Sequence, residues 1–154
     1  MIRSYQPGDH IAIADIFVAA VHEIASKVYT EEQCLAWSAR EPNYAHWEKR
    51  CAAKCPFVSV AEERIAGFLE LDPDGHIDCA YIHPAYQHRG LMSALVRHAL
   101  DLSFAKNLPR VYVEASLCAK PMFEKLGFRT LGENWVAIKG VFLLNYKMEK
   151  LRPQ

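Results

Sequence analysis

The chain has 154 residues, 51% of them hydrophobic, and eighteen Lys and Arg residues balance eighteen Asp and Glu residues. This length and apolar content predict one domain over residues 1–154, and the zero net charge excludes a general electrostatic attraction to nucleic acid or to an anionic membrane. The five cysteines, an odd number in a chain large enough to fold without disulfides, favour a cytoplasmic location, and the longest apolar stretch, interrupted by Asp15, is too short to span a bilayer.

The first third of the chain predicts one strand and three helices. The strand covers residues 2–6 and ends at Pro7-Gly8. Each helix begins at a residue whose side chain can accept a hydrogen bond from free backbone amides: Asp9, Thr30 and Asn43. Gln33 completes a capping box with Thr30. In the first helix the apolar residues recur at the spacing of one helical face: Ile13, Ile16, Phe17, Val21 and Ile24.

After Pro56 the apolar pattern changes to short β-prone runs at residues 57–61, 65–71 and 77–82, whose turns indicate an antiparallel meander. A helix over residues 90–106, a strand over 110–115, a short helix over 119–126 and two final strands follow. The strand, helix and strand from Ile77 to Ala115 predict one parallel pair. The predicted fold is therefore α/β (α+β), a mixed, mainly antiparallel sheet with one central parallel pair, flanked by helices.

The segment over residues 81–93, Tyr-Ile-His-Pro-Ala-Tyr-Gln-His-Arg-Gly-Leu-Met-Ser, passes from a strand through a turn into a helix. A helix start presents unpaired backbone amides and the positive end of the helix dipole, and a glycine there, Gly90, lets the main chain approach a phosphate closely. Gln87-x-x-Gly90 alone is also typical of an ordinary helix start. The rest of the sequence decides between the two interpretations.

Two blocks make the chain resemble the GCN5-related N-acetyltransferase (GNAT) family. Ile82-His83-Pro84 is similar to the element that leads into the pyrophosphate loop of that family, and Glu124-Lys125-Leu126-Gly127-Phe128 is similar to the end of a late helix in it. The predicted order of elements agrees with the family from residue 2 to residue 150. The resemblance implies a GNAT-like fold and an acyltransferase that moves the acetyl group of acetyl-CoA to an amine.

The resemblance also implies a binding site for coenzyme A, formed by Ile82, Gln87, His88, Arg89, Gly90, Leu91, Met92, Ser93, Ser116 and Phe123. The backbone amides from His88 to Ser93 are expected to hold the pyrophosphate, and Ile82 is expected to pair with the pantetheine arm. Two positions depart from the family pattern. Met92 stands where the family has a small residue, and Phe123 stands where many members carry a Tyr that protonates the leaving thiolate.

Acetyl transfer to an alkyl amine requires a general base or a desolvating pocket, because an amine with a pKa of about 10.4 is protonated at neutral pH. His76 and Asp78 are the candidate bases, since they lie two apart on one strand and share a face. The alternatives are a solvated turn residue for His76 and a structural hydrogen bond for Asp78. The Ile82 amide is the candidate oxyanion donor. Ser116 and Cys118 are candidate proton donors. The alternative for Cys118 is a small buried residue that packs like an apolar one.

The acceptor amine is expected between the early helices and the strands. The candidate residues there are aromatic, acidic or imidazole side chains that suit a cationic amine: His22, Glu23, Tyr29, Trp37 and Glu114. The alternatives are core packing for the aromatic residues, including Trp47, and solvation for Glu114. The balanced charge favours a small-molecule or peptide amine over a strongly charged macromolecule.

The sequence leaves two other functions and one mode of assembly to be weighed. A non-catalytic acyl-CoA-binding module with the same fold is the alternative function, because Phe123 lacks a hydroxyl and Met92 is large. A metal or redox site at Cys51-x-x-x-Cys55 is disfavoured, since Pro56 ends the helix and no second close pair completes four ligands, so no metal is predicted. The strands after Phe128 could pair with a second copy, which makes a homodimer a further prediction.

Overall fold

The computed structural model describes residues 1–154 and is built around one seven-stranded sheet. Its strands are β1 (Ile2–Ser4), β2 (Phe57–Ala61), β3 (Arg64–Leu71), β4 (His76–Ile82), β5 (Arg110–Ala115), β6 (Arg129–Ile138) and β7 (Val141–Leu151). They lie in the order β1-β2-β3-β4-β5-β7-β6, and every neighbouring pair is antiparallel except β4 and β5. The predicted mixed sheet with one central parallel pair is confirmed.

Five helices cover the two faces of the sheet: α1 (His10–Ala19), α2 (Glu31–Trp37), α3 (Tyr44–Lys54), α4 (Leu91–Ala105) and α5 (Lys120–Lys125). Helices α4 and α5 pack on one face, against a core that includes Ile77 and Val111. Helices α1 and α3 pack on the other face, against Phe68. None of the helices is both long enough and apolar enough to span a membrane.

The three predicted helix starts are not all capped in the same way. Thr30 and Asn43 cap α2 and α3 as predicted, because each side chain accepts a hydrogen bond from a free amide in the first turn. Asp9 precedes α1 but does not cap it. Its carboxylate instead accepts hydrogen bonds from the Arg3 guanidinium at 2.7 Å and from the Gln6 amide at 2.8 Å, so a competing ion pair uses the oxygens that a cap requires.

The apolar spacing predicts an α-helix as far as Ile24, but the α-helical part ends at Ala19. The helix continues from α1 as a π-helical turn, Ala20–Ile24, and then as a 3-10 turn, Ala25–Lys27. A π-helical turn is rare and is frequently found at functional sites. Ala20, Ile24 and Ala25 all line the cavity that opens in the sheet.

The parallel pair in the middle of the sheet is short. It joins only His76 to Tyr112 and Ile77 to Val113, whereas both strands continue for several residues beside their antiparallel neighbours. Beyond these two pairs β4 and β5 diverge, and their facing backbone edges have no strand between them. Because unpaired backbone amides and carbonyls require partners, the gap is suited to binding an extended ligand.

Candidate active site

A cavity of about 630 Å³ occupies the gap between β4 and β5. One wall is the end of β4, from Ala80 to Ile82, and the opposite wall includes Ser116 and Cys118, which follow β5. The start of α4 borders the cavity, and so do Trp37 and the π-helical turn. The cavity therefore joins a helix start, an open strand edge and an apolar part.

The Ile82 amide faces this cavity. Across the sheet, the His83 amide donates to the Ala66 carbonyl at 2.8 Å, and Gly67 is paired in register with Ile82. Hydrogen-bonded and non-hydrogen-bonded pairs alternate along an antiparallel ladder, so the amides of Ala80 and Ile82 point away from β3. On that side β5 has already diverged, which leaves both amides directed into the gap.

The start of α4 offers a second set of amides. Gly90, with φ of +74°, precedes the helix, and the first intrahelical bond runs from the Ala94 amide to the Gly90 carbonyl at 3.1 Å. The amides of Leu91, Met92 and Ser93 therefore have no partner within the helix, and all three residues line the cavity. Free amides and the positive end of a 15-residue helix make this part of the cavity suitable for an anion.

Most of the residues predicted to bind coenzyme A lie around the cavity: Ile82, Gln87, His88, Gly90, Leu91, Met92, Ser93 and Ser116. Arg89 and Phe123 do not. Arg89 forms an ion pair with Glu62 at 2.8 Å and lies over the Tyr86 ring. Phe123 is buried in the core, where its ring packs against Phe128. The prediction is corrected for Phe123, because packing holds its side chain in the core. The ion pair of Arg89 involves only its side chain, so the expected role of the Arg89 backbone amide stays a prediction.

His76 lies outside the cavity, and the structure contradicts its predicted role as a base. Its Nδ1 lies 3.1 Å from the Asp72 carboxylate and its Nε2 lies 2.9 Å from the Glu114 carboxylate, while the ring stacks on Tyr112. Burial lowers the pKa of His76, but the bonds to Glu114 and Asp72 outweigh burial and leave that pKa raised. A general base needs a free lone pair, and here both ring nitrogens are engaged.

Asp78 also lies outside the cavity, and its predicted role as a base is corrected. Its carboxylate accepts hydrogen bonds from Lys54 at 2.7 Å and Arg50 at 3.1 Å. Burial raises the pKa of Asp78, but the bond from Lys54 and the charge of Arg50 outweigh it and lower that pKa. The register of β4 shifts opposite Glu70 and Leu71, so a bulge turns Asp78 toward α3 and away from the gap.

The aromatic residues predicted to bind the acceptor divide between cavity and core. Trp37 lines the cavity. Tyr29 is buried, and its hydroxyl donates to the Leu144 carbonyl at 2.6 Å and accepts from the Leu117 amide at 3.0 Å. These two bonds occupy the Tyr29 hydroxyl, so its predicted contact with the acceptor is corrected to a structural role. Trp47 is a core residue, as the alternative interpretation predicts.

The polar residues predicted to bind the acceptor are absent from the cavity. His22 and Glu23 line a separate pocket of about 260 Å³, and the His22 Nε2 lies 2.7 Å from the Ser38 carbonyl oxygen. Glu114 is engaged with His76. No carboxylate lines the main cavity, so the acidic lining expected for a cationic amine is not found there.

Ser116 and Cys118, the predicted proton donors, both line the cavity on the side opposite β4. The Ser116 hydroxyl oxygen accepts a hydrogen bond from the Ala119 amide at 3.2 Å. Burial raises the pKa of the Cys118 thiol, so the thiol holds its proton at neutral pH. Their catalytic roles stay predictions.

The sequence interpretation missed several residues of the cavity. Tyr81 is one, because a tyrosine in a strand ordinarily indicates packing. Lys125 is another, although it lies inside the Glu-Lys-Leu-Gly-Phe block that carries the resemblance. The positions of Ala20 and Ile24 in the cavity could not be predicted, because no local sequence pattern indicates the π-helical turn in which they lie.

Cys51 and Cys55 do not form a common site. Cys51 is buried and Cys55 is exposed at the left-handed end of α3. Burial raises the pKa of Cys51 to about 12, which disfavours the thiolate that a metal ligand requires. Nowhere does the chain bring together three His, Cys, Asp or Glu side chains in a way that would hold a metal ion.

The raised pKa of His76 predicts a pH-dependent contribution to stability. A group whose pKa is higher in the folded state stabilises fully below its unfolded pKa, about 6.5, and this contribution disappears as the pH rises through the folded value. We expect His76→Gln to lower the free energy of unfolding more at pH 5.5 than at pH 8.5 in urea titrations. The exposed His46→Gln is the control, and a pH-independent effect of His76→Gln would contradict the prediction.

Comparison with known proteins agrees with the fold. The family model described as an acetyltransferase (GNAT) domain matches residues 25–150. The chain is 32% identical to the uncharacterized N-acetyltransferase YafP of Escherichia coli K12, over 99% of this chain and 96% of that protein. A GCN5-related N-acetyltransferase from Rhodopseudomonas palustris superposes with a TM-score of 0.91 at 30% identity, covering 98% of this chain and 94% of the other. The yncA putative acetyltransferase of Salmonella typhimurium, solved with acetyl-CoA, shares the fold with a TM-score of 0.75 at 18% identity, covering 100% and 94%. The chain therefore belongs to the GNAT family of acyltransferases.

Proposed function

We propose that this protein transfers the acetyl group of acetyl-CoA directly to the primary amine of a small molecule or peptide. One observation carries the proposal: a single cavity joins the free amides at the start of α4 to the open edge of β4. The first suits a pyrophosphate, and the second suits an extended arm that pairs with backbone groups. The yncA structure with acetyl-CoA and the PaiA structure of Thermoplasma acidophilum with coenzyme A share this fold and support the proposal.

When bound, acetyl-CoA supplies an activated acetyl group, and the chain supplies binding and orientation. The amides of Leu91, Met92 and Ser93 would hold the pyrophosphate, and Lys125 and His88 line the same cavity. The Ile82 amide, directed into the gap, would donate to the carbonyl oxygen on which negative charge develops during transfer. Because this donor is a backbone group in a sheet, it is already oriented before the reaction.

The acceptor amine would lie in the apolar part of the cavity, bordered by Ala20, Ile24, Trp37 and Tyr81. With no carboxylate there to hold an ammonium, burying a charged amine would be unfavourable. The amine therefore reacts in its neutral form. This requirement, together with the size of the cavity, favours small amines.

Thiol release tests the proposal. The protein is incubated with saturating acetyl-CoA and a broad panel of amines, free thiol is measured with a chromogenic disulfide, and acetyl-CoA binding is measured by calorimetry. We expect binding together with amine-dependent thiol release above the hydrolysis rate. Binding without any amine-dependent release would instead support the non-catalytic acyl-CoA-binding module.

Gly90 provides a specific test of the phosphate site. An alanine there carries the cost of a left-handed φ and places a methyl group where the main chain would approach the pyrophosphate. Gly140→Ala is the matched control, since Gly140 has φ of +79°, also has no atom within 4 Å of the added carbon, and lies outside the cavity. We expect Gly90→Ala to weaken coenzyme A binding about tenfold, which is about 1.4 kcal/mol. Equal affinities of the two variants would contradict the assignment.

Assembly as a homodimer stays a prediction. Strand β6 forms one edge of the sheet, and Trp135 and Phe142 lie largely exposed on the same face of the β6–β7 hairpin. We propose that a second copy covers this edge, which sedimentation equilibrium would test.

A further inference from the structure

Tyr81 holds a hydroxyl group at the boundary between the open strand edge and the apolar part of the cavity. Its ring is fixed by edge-on contact with Phe17 and by packing on Phe68, with ring centroids 5.2 Å and 5.8 Å apart. Its hydroxyl oxygen accepts a hydrogen bond from the Trp37 indole nitrogen at 3.1 Å. Tyr81 and Trp37 both line the cavity, so the oriented hydroxyl borders the space where the reactants would meet.

The hydrogen-bonding capacity of this hydroxyl is only partly used. A tyrosine hydroxyl has one proton to donate and two lone pairs to accept, whereas an indole N–H can only donate. Trp37 therefore occupies one lone pair of Tyr81 and leaves one lone pair and the proton without a protein partner. Burial raises the pKa of Tyr81 well above its ordinary value, so the group is a neutral hydroxyl at physiological pH.

The transfer reaction needs a group with this free capacity. The amine nitrogen must lose a proton as it bonds to the acetyl carbon, and the departing sulfur must gain one. His76 and Asp78 lie outside the cavity in ion pairs, no carboxylate lines it, and Phe123 is a core residue without a hydroxyl. Among the residues on the β4 wall, only Tyr81 has a side chain that can exchange a proton.

We propose, on the basis of the proposed function, that the Tyr81 hydroxyl relays a proton from the attacking amine to the departing sulfur. The bond from nitrogen to the acetyl carbon forms and the bond from that carbon to sulfur breaks. The proton of the nitrogen passes to the free lone pair of the Tyr81 oxygen while the hydroxyl proton passes to sulfur. The products are the amide and the free thiol, and Tyr81 is neutral before and after the reaction.

Neutrality suits the surroundings of Tyr81. A phenolate among Phe17, Phe68 and Trp37 would be a buried charge, and Arg50, whose charge acts on Tyr81, is already paired with two carboxylates. A relay, in contrast, creates no lasting charge on the oxygen. Trp37 fixes the direction of the hydroxyl and acts as a positioning residue. Ser116 and Cys118, on the opposite wall, are the competing proton donors, so variants of these residues belong in the same experiment.

The test compares Tyr81→Phe with the wild type and with Tyr44→Phe, which removes a surface hydroxyl that is bonded to Asp15 and does not line the cavity. Proton transfer by a positioned side chain contributes about 10² to 10⁴ in rate, so we expect kcat of Tyr81→Phe to fall at least about 100-fold. The dissociation constant for acetyl-CoA, measured by calorimetry, and the melting temperature should stay near the wild-type values. Trp37→Phe should lower kcat less, because the hydroxyl remains but loses its orienting donor.

Two kinds of result would overturn the relay. If the wild type is active and Tyr81→Phe keeps its kcat while Cys118→Ala or Ser116→Ala loses it, the proton passes along the opposite wall. If Tyr81→Phe loses acetyl-CoA binding in proportion to its activity, Tyr81 shapes the site and does not move the proton. A wild type that binds acetyl-CoA but releases no thiol with any amine would overturn the proposed function itself, and the relay with it.

Discussion

For an alkyl amine acceptor, kcat/KM should rise about tenfold for each pH unit between pH 7 and pH 9, whereas for an aromatic amine it should stay flat. With a pKa of about 10.4, only roughly one alkyl amine molecule in 2,500 is neutral at pH 7, and this fraction grows tenfold per unit. An aromatic amine is already neutral in this range, because its lone pair is delocalised into the ring. The cavity lacks a carboxylate to take the proton of an ammonium, so the enzyme should simply select the neutral fraction.

Steady-state kinetics with butylamine and aniline, at saturating acetyl-CoA and constant ionic strength, would measure these profiles. Asp78→Asn is the matched control, since Asp78 is held by Lys54 and Arg50 outside the cavity, and it should leave the slope unchanged. A flat alkyl amine profile, or one that levels off near neutral pH, would reveal a protein base and contradict the prediction. If the wild-type profile is flat and Asp78→Asn restores the tenfold rise per pH unit, Asp78 is that base.

The fold could be predicted because its signals are local. The capping residues Thr30 and Asn43, the apolar alternation of the strands and the glycine before α4 each act within a few residues of themselves. The parallel pair followed from the order strand, helix, strand, which strongly constrains topology. The proposed coenzyme A site could be predicted for the same reason, since most of its residues are close together in sequence, from Gln87 to Ser93.

The acceptor side of the site could not be predicted in this way. His76 and Asp78 share a strand face, as expected. Whether these side chains are free to act as bases depends on their ion pairs with Lys54, Asp72 and Glu114, which come from three other parts of the chain. The bulge in β4 is defined by how β4 pairs with β3, so the sequence of either strand alone does not predict it. Spacing therefore identified residues that can carry a charge, and tertiary contacts decided which of these charges were already paired.

Removing the guanidinium of Arg50 should destabilise the protein by about 3 to 5 kcal/mol, the usual cost of leaving a buried charge unpaired. Glu70 of β3 is only 1% exposed, and both of its carboxylate oxygens accept hydrogen bonds from Arg50 Nε, at 2.9 and 2.8 Å. The same guanidinium bonds Asp78 at 3.1 Å. Arg50 therefore joins α3 to both strands at the bulge and helps to hold Asp78 away from the gap.

We expect Arg50→Met to lower the melting temperature by about 10 °C, given about 2 to 4 °C per kcal/mol for a chain of this size. Arg40→Met is the control, because Arg40 pairs with Glu31 on the surface, where an ion pair contributes about 1 kcal/mol or less. In the double variant Arg50→Met with Glu70→Leu, much of the loss should be recovered, since the buried carboxylate is gone and apolar side chains fill its place. If Arg50→Met costs no more than Arg40→Met, water reaches Glu70 and the pair does not hold α3 on the sheet. If the double variant is as unstable as the single one, the loss comes from packing of the arginine stem and not from the unpaired charge.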